Sequence, residues 1–263
     1  GSGAAEEYYG RLFRSLLPAA GGVEIGNRTE SLCGFSITGP NARDLLAAVV
    51  DEDVSDAAFP FLASRPMAIG NARPLVVRIS FTGYLGYELY MEESEQMAVY
   101  DALVEAGRKF GLRHFGVRAL NSLRLEKGYG SWGREFTMDY MPAEAGLDRF
   151  VKPCKGRFVG RDAVAANPAP KRKLVLLSIA DAGNGDEADP IGGEPLFHEG
   201  RCVGRLTSGG YGHWVAKSLA LGYMPAEVAA NGKGFSVEIL GQRRPAELLA
   251  RPPYDPDGSR LRG

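Results

Sequence analysis

The chain has 263 residues, of which 44% are hydrophobic and 24% are charged, and this length and composition allow a sizeable core in two compact units. Its formal net charge is −1 at pH 7, which argues against the broad basic surface that nucleic acid or anionic lipid requires. No apolar run reaches the length of a membrane span, and no signal-peptide pattern opens the chain. We therefore expect no nucleic-acid partner, no membrane partner and a cytoplasmic location.

The cysteines and histidines are dispersed along the chain. Cys33, Cys154 and Cys202 are far apart and odd in number, and no C-x-x-C motif is present. This pattern predicts neither a disulfide framework nor a zinc site. We expect no metal and a reducing compartment.

The first part of the chain predicts a helix followed by strands. Apolar residues recur at helical spacing over residues 5–17. Residues 32–37 alternate like a strand, and Asn41 is placed to cap a short helix after a Gly-Pro break. A hairpin follows, with strands at residues 75–80 and 87–91.

The second strand of that hairpin alternates between two chemical types. A period of two places Glu88 and Tyr90 on one face and Tyr87, Leu89 and Met91 on the other. Beyond it, Ser94 is placed to cap a helix. The buried stripe of this helix is predicted to be Met97, Tyr100, Leu103, Val104 and Phe110.

Residues 116–133 combine a helix with a glycine-rich aromatic segment. Val117, Leu120 and Leu123 form an apolar stripe, and Arg124 points into the same stripe. A buried guanidinium must be paired or must meet a ligand, because burying it alone is costly. Glycines then surround Tyr129 and Trp132. Both a pocket wall and ordinary core packing fit this segment.

A linker at residues 167–173 combines two prolines with a basic run. Beyond it, short strands with glycine turns predict a small β domain, and residues 198–201 and 208–213 are interpreted as turns. The predicted domains are an α+β region at residues 1–166 and a C-terminal β-barrel at 174–263. The fold class is therefore α+β, with antiparallel sheets and packed helices followed by a β-barrel-like domain.

Three segments resemble one known family. Residues 123–133, 142–152 and 158–163 read LRLEKGYGSWG, PAEAGLDRFVK and FVGRDA. They resemble the folate-binding family of the glycine cleavage T-protein, and above all the C-terminal part of dimethylglycine and sarcosine dehydrogenases. The similarity runs from about residue 23 to residue 254.

The resemblance implies a set of folate-binding residues. Residues 83–88 read GYLGYE and match the family hairpin whose glutamate contacts the pterin, so Glu88 is the first candidate. A carboxylate can accept the adjacent N–H donors of the pterin edge. Phe81 stands at the position of a stacking tyrosine, and Tyr87 lies beside Glu88. Trp132 forms a second wall or packs in a core or interface. Arg124 orients the ligand or pairs with Glu126 or Glu144.

The chain also departs from the family pattern. Leu120 and Asn121 replace an Arg-Asp pair of glycine-cleavage T-proteins, which favours the dehydrogenase-linked branch. Residues 1–30 do not match the acidic opening segment of the family. We therefore expect an incomplete pocket unless another chain supplies the rest, and poor catalysis by this chain alone. No catalytic residue is assigned; Glu135 or Asp139 would be the candidates if the chain turned over.

The function implied by the resemblance is tetrahydrofolate-dependent one-carbon transfer from an amine-derived donor, with 5,10-methylene-tetrahydrofolate as product. Demethylation of methoxy or sulfonium compounds is also known in the family. The alternative is a non-catalytic folate-binding or docking module of a dehydrogenase complex. No phosphate-cradling glycine loop is present, so flavin is expected in a partner flavoprotein and not in this chain.

Overall fold

The computed structural model describes residues 3–167, 169–181, 188–230 and 233–262. Contacts between residues divide the chain into two compact units. The first comprises residues 1–80, 84–113 and 260–263, and the second comprises residues 81–83 and 114–259. The linker predicted at residues 167–173 stays a prediction. The main division between the two compact units falls in the sequence between Arg113 and His114.

The first unit contains a four-stranded antiparallel sheet. Its strands are β1 (Leu32–Thr38), β2 (Ser64–Pro66), β3 (Leu75–Val77) and β4 (Gly86–Glu92), in the order β1-β4-β3-β2. The central strand β4 pairs with β1 on one side and β3 on the other. The predicted strand at residues 75–80 ends at Val77 and is thus shorter than expected.

Three helices accompany this sheet: α1 (Gly3–Ser15), α2 (Ala42–Ala47) and α3 (Gln96–Gly107). The core of the unit is built from α2, α3 and one face of β4. Its fully buried members include Leu46, Met67, Leu89 and Val99. Three large apolar side chains of α1 remain exposed, namely Tyr8, Leu12 and Phe13, and so does Leu16 just after the helix.

Two predicted helix caps are wrong. Asn41 precedes α2 but its side chain makes no capping hydrogen bond. Ser94 lies inside a 3-10 turn, where Glu92 and Glu95 form a reciprocal capping box instead. This tighter turn directly precedes α3. Of the predicted stripe of α3, Leu103 is buried as expected, whereas Met97 is exposed and Val99 is buried instead.

The second unit contains two helices, α4 (Val117–Glu126) and α5 (Arg161–Ala166), and a closed six-stranded barrel. The barrel strands are β5 (Arg172–Ile179), β6 (Pro195–His198), β7 (Arg201–Gly212), β8 (Lys217–Pro225), β9 (Phe235–Ile239) and β10 (Gln242–Leu249). They close in the antiparallel order β10-β5-β8-β7-β6-β9. The short helix α6 (Ala226–Ala229) follows β8, whereas α7 (Ser259–Arg262) follows β10 and belongs to the first unit from Arg260 onward. The predicted α+β class with a C-terminal barrel is confirmed.

One of the two predicted barrel turns is confirmed. The turn between β6 and β7 places Glu199 and Gly200 at φ angles of 49° and 80°, as a two-residue hairpin turn requires. The predicted turn at residues 208–213 is wrong, since residues up to Gly212 belong to β7. A Cβ at Gly209 would lie 2.6 Å from Pro190, so this glycine permits a close packing contact within a strand.

Within the described ranges, no helix has both the length and the apolar character that a membrane span requires.

Candidate functional site

Glu88 lies on the open face of the central strand β4. Tyr87, Leu89 and Met91 are buried on the core side, whereas Glu88 is half-buried and Tyr90 is exposed. The predicted alternation of this strand is therefore confirmed. Because β4 pairs on both sides, its backbone holds the Glu88 carboxylate on a rigid support.

Tyr90 fixes one oxygen of the Glu88 carboxylate. Its hydroxyl donates a hydrogen bond to Oε2 of Glu88. Gly34 lies opposite Tyr90 on β1, and a Cβ there would approach the Tyr90 ring to 3.3 Å, so glycine leaves room for the ring. Within the described residues, the second oxygen, Oε1, accepts no hydrogen bond. The carboxylate is thus oriented and still open to a donor from a ligand.

The bond to Glu88 predicts a distinct alkaline behaviour. Donation to Glu88, followed by burial and by the carboxylate charge, raises the pKa of Tyr90 to about 12 from the ordinary value of 10.0. A raised folded-state pKa stabilises the protein below pH about 10, and this contribution is lost as the pH rises towards about 12. We expect Tyr90→Phe to reduce the loss of stability over this window, measured as denaturation midpoints against pH.

Tyr211→Phe is the control for this experiment, because the Tyr211 ring is exposed to a similar extent, 37% against 36% for Tyr90. An alkaline profile of Tyr90→Phe that matches the wild type would contradict the assigned hydrogen bond.

Tyr87 does not lie on a ligand-facing surface. Its side chain is fully buried and stacks on Phe59, with ring centroids 6.0 Å apart and planes at 9°. Burial raises the pKa of its phenol. Because residues adjacent along a strand point to opposite faces, Tyr87 faces the core while Glu88 faces outward, and the predicted contact of Tyr87 with the cofactor is not supported by its position.

The aromatic candidates of the second unit are accessible. Phe81 is partly exposed and stacks on Tyr129, with centroids 6.4 Å apart and planes at 20°. Trp132 is 57% exposed, so the alternative in which it packs in the core of this unit is wrong. Both rings present apolar surface on which a planar ligand can stack.

Arg124 is not available to a ligand. It is 2% exposed and forms an ion pair of 3.1 Å with Glu135. Its other donors bind the Tyr129 carbonyl at 2.9 Å and the Asn121 side-chain oxygen at 2.8 and 3.0 Å. The predicted partners were wrong, because Glu135 follows α4 in a loop that helical spacing does not reveal. Burial lowers the pKa of Arg124, opposed by the charge of Glu135.

Glu135 joins three segments of the second unit. One oxygen accepts hydrogen bonds from Arg124 and from the Ser131 N–H at 2.7 Å. The other accepts from the hydroxyls of Thr207 at 2.6 Å and Ser208 at 2.5 Å. The residue is fully buried. This carboxylate therefore has a structural role and is not placed to act as the general acid that the sequence left open.

Two further buried glutamates also bind protein groups. Glu126 accepts the N–H groups of Trp214 and Val215 at 2.7 and 3.2 Å. Glu144 accepts the N–H groups of Met141 and Arg172, both at 3.0 Å. Burial works to raise the pKa of Glu144, but these hydrogen bonds and the Arg172 charge outweigh it and lower the pKa. Neither residue pairs with Arg124.

Within the part of the chain that is described, no three histidine, cysteine, aspartate or glutamate side chains are arranged to hold a metal ion. Cys33, Cys154 and Cys202 are free thiols.

Relatives of known identity share much of this chain. It is 40% identical over 233 residues to the mitochondrial dimethylglycine dehydrogenase of Homo sapiens, covering 88% of this chain and 26% of that protein. It is 30% identical over 227 residues to an aminomethyltransferase of Caldanaerobacter subterraneus subsp. tengcongensis, covering 86% of this chain and 59% of the relative. The chain thus spans about a quarter of the dehydrogenase and three fifths of the transferase.

A solved structure shares the fold. The crystal structure of glycine cleavage system aminomethyltransferase T from Bartonella henselae matches with a TM-score of 0.77 at 24% identity, covering 97% of this chain and 67% of that one. Two family models match as well: the GCVT N-terminal domain at residues 2–155 and the glycine cleavage T-protein C-terminal barrel domain at residues 172–255. The chain therefore belongs to the glycine cleavage T-protein family.

Proposed function

We propose that this chain carries out tetrahydrofolate-dependent transfer of a one-carbon unit, at the aminomethyl or methylene level, in connection with dimethylglycine or sarcosine oxidation. The observation that carries the proposal is the Glu88 carboxylate on the open face of β4, with one oxygen held by Tyr90. The similarity to dimethylglycine dehydrogenase and to aminomethyltransferases supports the same reaction class.

The chemistry of Glu88 fits the pterin of tetrahydrofolate. The pterin edge carries adjacent N–H donors, and a carboxylate accepts such donors side by side. The Tyr90 hydroxyl uses one of the acceptor sites and leaves Oε1 open within the described residues. Phe81 and Trp132 stay predicted stacking contacts, supported by their exposure. Tyr87 and Arg124 are left out of the proposed site because both are buried. Tyr87 stacks on Phe59, and Arg124 forms an ion pair with Glu135.

Tetrahydrofolate would supply the nucleophilic nitrogens, and the protein would supply binding and orientation. Glu88 fixes the pterin by hydrogen bonds, and Tyr90 fixes Glu88. Holding two reactants in a defined geometry removes much of the entropic cost of their encounter. This role requires a rigid carboxylate, which the doubly paired strand β4 provides.

The test is the affinity for tetrahydrofolate measured by titration calorimetry. We expect Glu88→Ala to weaken binding by about 1.5–3 kcal/mol, or roughly 10- to 150-fold, the range for hydrogen bonds to a charged group. Glu92→Ala is the matched control, since Glu92 lies on the same face of the same strand and pairs with Arg28. Equal affinities of wild type and Glu88→Ala would remove Glu88 from the site.

A second candidate function is a non-catalytic folate-binding module docked to a flavoprotein. Two observations favour it. Large apolar side chains of α1 are exposed, and the matched region makes up 26% of the similar dimethylglycine dehydrogenase. The two functions separate in an assay of methylene-tetrahydrofolate formation from a dimethylglycine- or sarcosine-derived iminium. Folate binding without product, alone and with an added dimethylglycine dehydrogenase flavoprotein, would favour the module; product formation would favour the transferase.

A further inference from the structure

The second unit contains a cavity of about 360 Å³ that the folate proposal does not use. It is open to solvent on one side and is lined by residues of the segment at 133–140, the loop at 191–193 and the middle of β7. Arg134, Arg205, Thr137, Thr207 and Tyr140 are among its lining residues. A cavity of this volume is large enough for a small molecule.

Two arginines, Arg134 and Arg205, are among the lining residues of this cavity, and both are exposed. Within the described residues, neither Arg134 nor Arg205 forms an ion pair, and the one hydrogen bond of their guanidinium groups runs from Arg134 to the Ile191 carbonyl at 3.5 Å. In the same unit, Arg124 and Arg172 are both paired with buried glutamates. Two like charges that line one concave space focus a positive potential there.

The three carboxylates nearest this wall each accept hydrogen bonds from other protein groups, and Asp139 accepts one from the Thr137 hydroxyl at 3.3 Å. Glu135 is occupied by Arg124 and by the Thr207 and Ser208 hydroxyls. Glu194 accepts the N–H groups of Ile191 and Gly192 at 2.7 and 2.8 Å, and it thereby fixes the loop at residues 191–193. An anion in the cavity would therefore meet two guanidinium groups with free donors.

The walls of the cavity are formed before any ligand binds. A Cβ at Gly192 would lie 2.5 Å from the Thr207 carbonyl oxygen, so the loop packs directly on the backbone of β7. Tyr140 stacks face to face on Tyr223, with centroids 3.5 Å apart and planes at 8°. The Arg172 guanidinium lies 4.6 Å from the Tyr140 ring centre. A preformed wall reduces the ordering cost of binding.

We propose that this cavity binds a small molecule bearing a phosphate or carboxylate group, held by Arg134 and Arg205. The guanidinium fork matches the spacing of oxygens in both groups, and two arginines suit a doubly charged ligand. Thr137 lies in the same wall, where its hydroxyl donates to Asp139 Oδ2 at 3.3 Å. None of the residues proposed to contact folate is among the residues that line this cavity.

The test is calorimetric titration of the full chain at low ionic strength with inorganic phosphate and, separately, with succinate. We expect saturable binding of at least one of them at millimolar concentration. The anion that binds more tightly shows whether the ligand group is a phosphate or a carboxylate. Arg134→Ala and Arg205→Ala should each weaken this binding about tenfold, since each removes hydrogen bonds to a charged group, and the double variant should abolish it.

Arg201→Ala is the matched control, because Arg201 is an exposed arginine on the same strand outside the cavity. It should bind the anion as the wild type does. The proposal is overturned if neither anion binds, or if Arg201→Ala weakens binding as much as Arg205→Ala. Thermal unfolding of the unliganded variants establishes that they are folded, and Arg205→Gln provides a second substitution if Arg205→Ala is not.

Discussion

Replacing Glu135 by alanine is expected to lower the free energy of unfolding of the second unit by about 3–5 kcal/mol, the usual cost of removing one partner from a buried ion pair. The substitution leaves the Arg124 guanidinium buried without its counter-charge. It also removes the acceptor of the Ser131 N–H and of the Thr207 and Ser208 hydroxyls. A loss of this size is a large part of the stability of a typical domain, about 5–15 kcal/mol.

Denaturant unfolding followed by tryptophan fluorescence measures this loss, because Trp132 and Trp214 both belong to the second unit. Glu238→Ala is the matched control: Glu238 pairs with Arg243 at 3.4 Å, but both side chains are more than 40% exposed. Exposed pairs contribute about 0–1 kcal/mol. A similar loss in both variants would contradict the role of Glu135 as a buried junction.

Replacing Gly204 by alanine is expected to destabilise the barrel by about 3 kcal/mol or more, at the upper end for overpacking. A Cβ at this position of β7 would overlap the carbonyl oxygen of Tyr223 on β8. Relief requires the two strands to separate, because the obstacle is backbone and not a flexible side chain. The barrel is closed, so such a shift would disturb its neighbouring pairs as well.

The same fluorescence-detected unfolding measures this effect. Gly116→Ala is the control, since a Cβ at Gly116 would meet no atom within 4 Å. Gly116 precedes α4 at an N-cap position with φ −103°, where exchange of glycine for alanine changes stability only modestly, by about 1 kcal/mol or less. Wild-type stability of Gly204→Ala would show that β7 and β8 are not packed as closely as described.

The local pattern of this sequence determined the parts of the fold that repeat with a fixed period. The faces of β4 follow from alternation alone, and so does the side of the sheet on which Glu88 and Tyr90 lie. The short barrel strands predicted between residues 174 and 239 follow from apolar runs separated by glycine turns. Strand β10 was missed, because Arg244 and Pro245 interrupt its apolar pattern. Arg244 is nevertheless buried and donates to the carbonyls of Ala180 and Ala188.

Only the tertiary structure determined which ion-pair and hydrogen-bond partners the buried charged residues have. Arg124 was correctly expected to need a partner, but Glu135 lies outside its helix, and only the folded chain brings the two together. The glycines at residues 209–212 form a strand against which α4 donates hydrogen bonds from Asn121 and Ser122, where the local pattern indicated a turn. Sequence spacing records the direction in which a side chain points within its own element. It does not record the desolvation and close packing imposed by distant segments, and these decided whether each candidate became a buried junction or stayed open to a ligand.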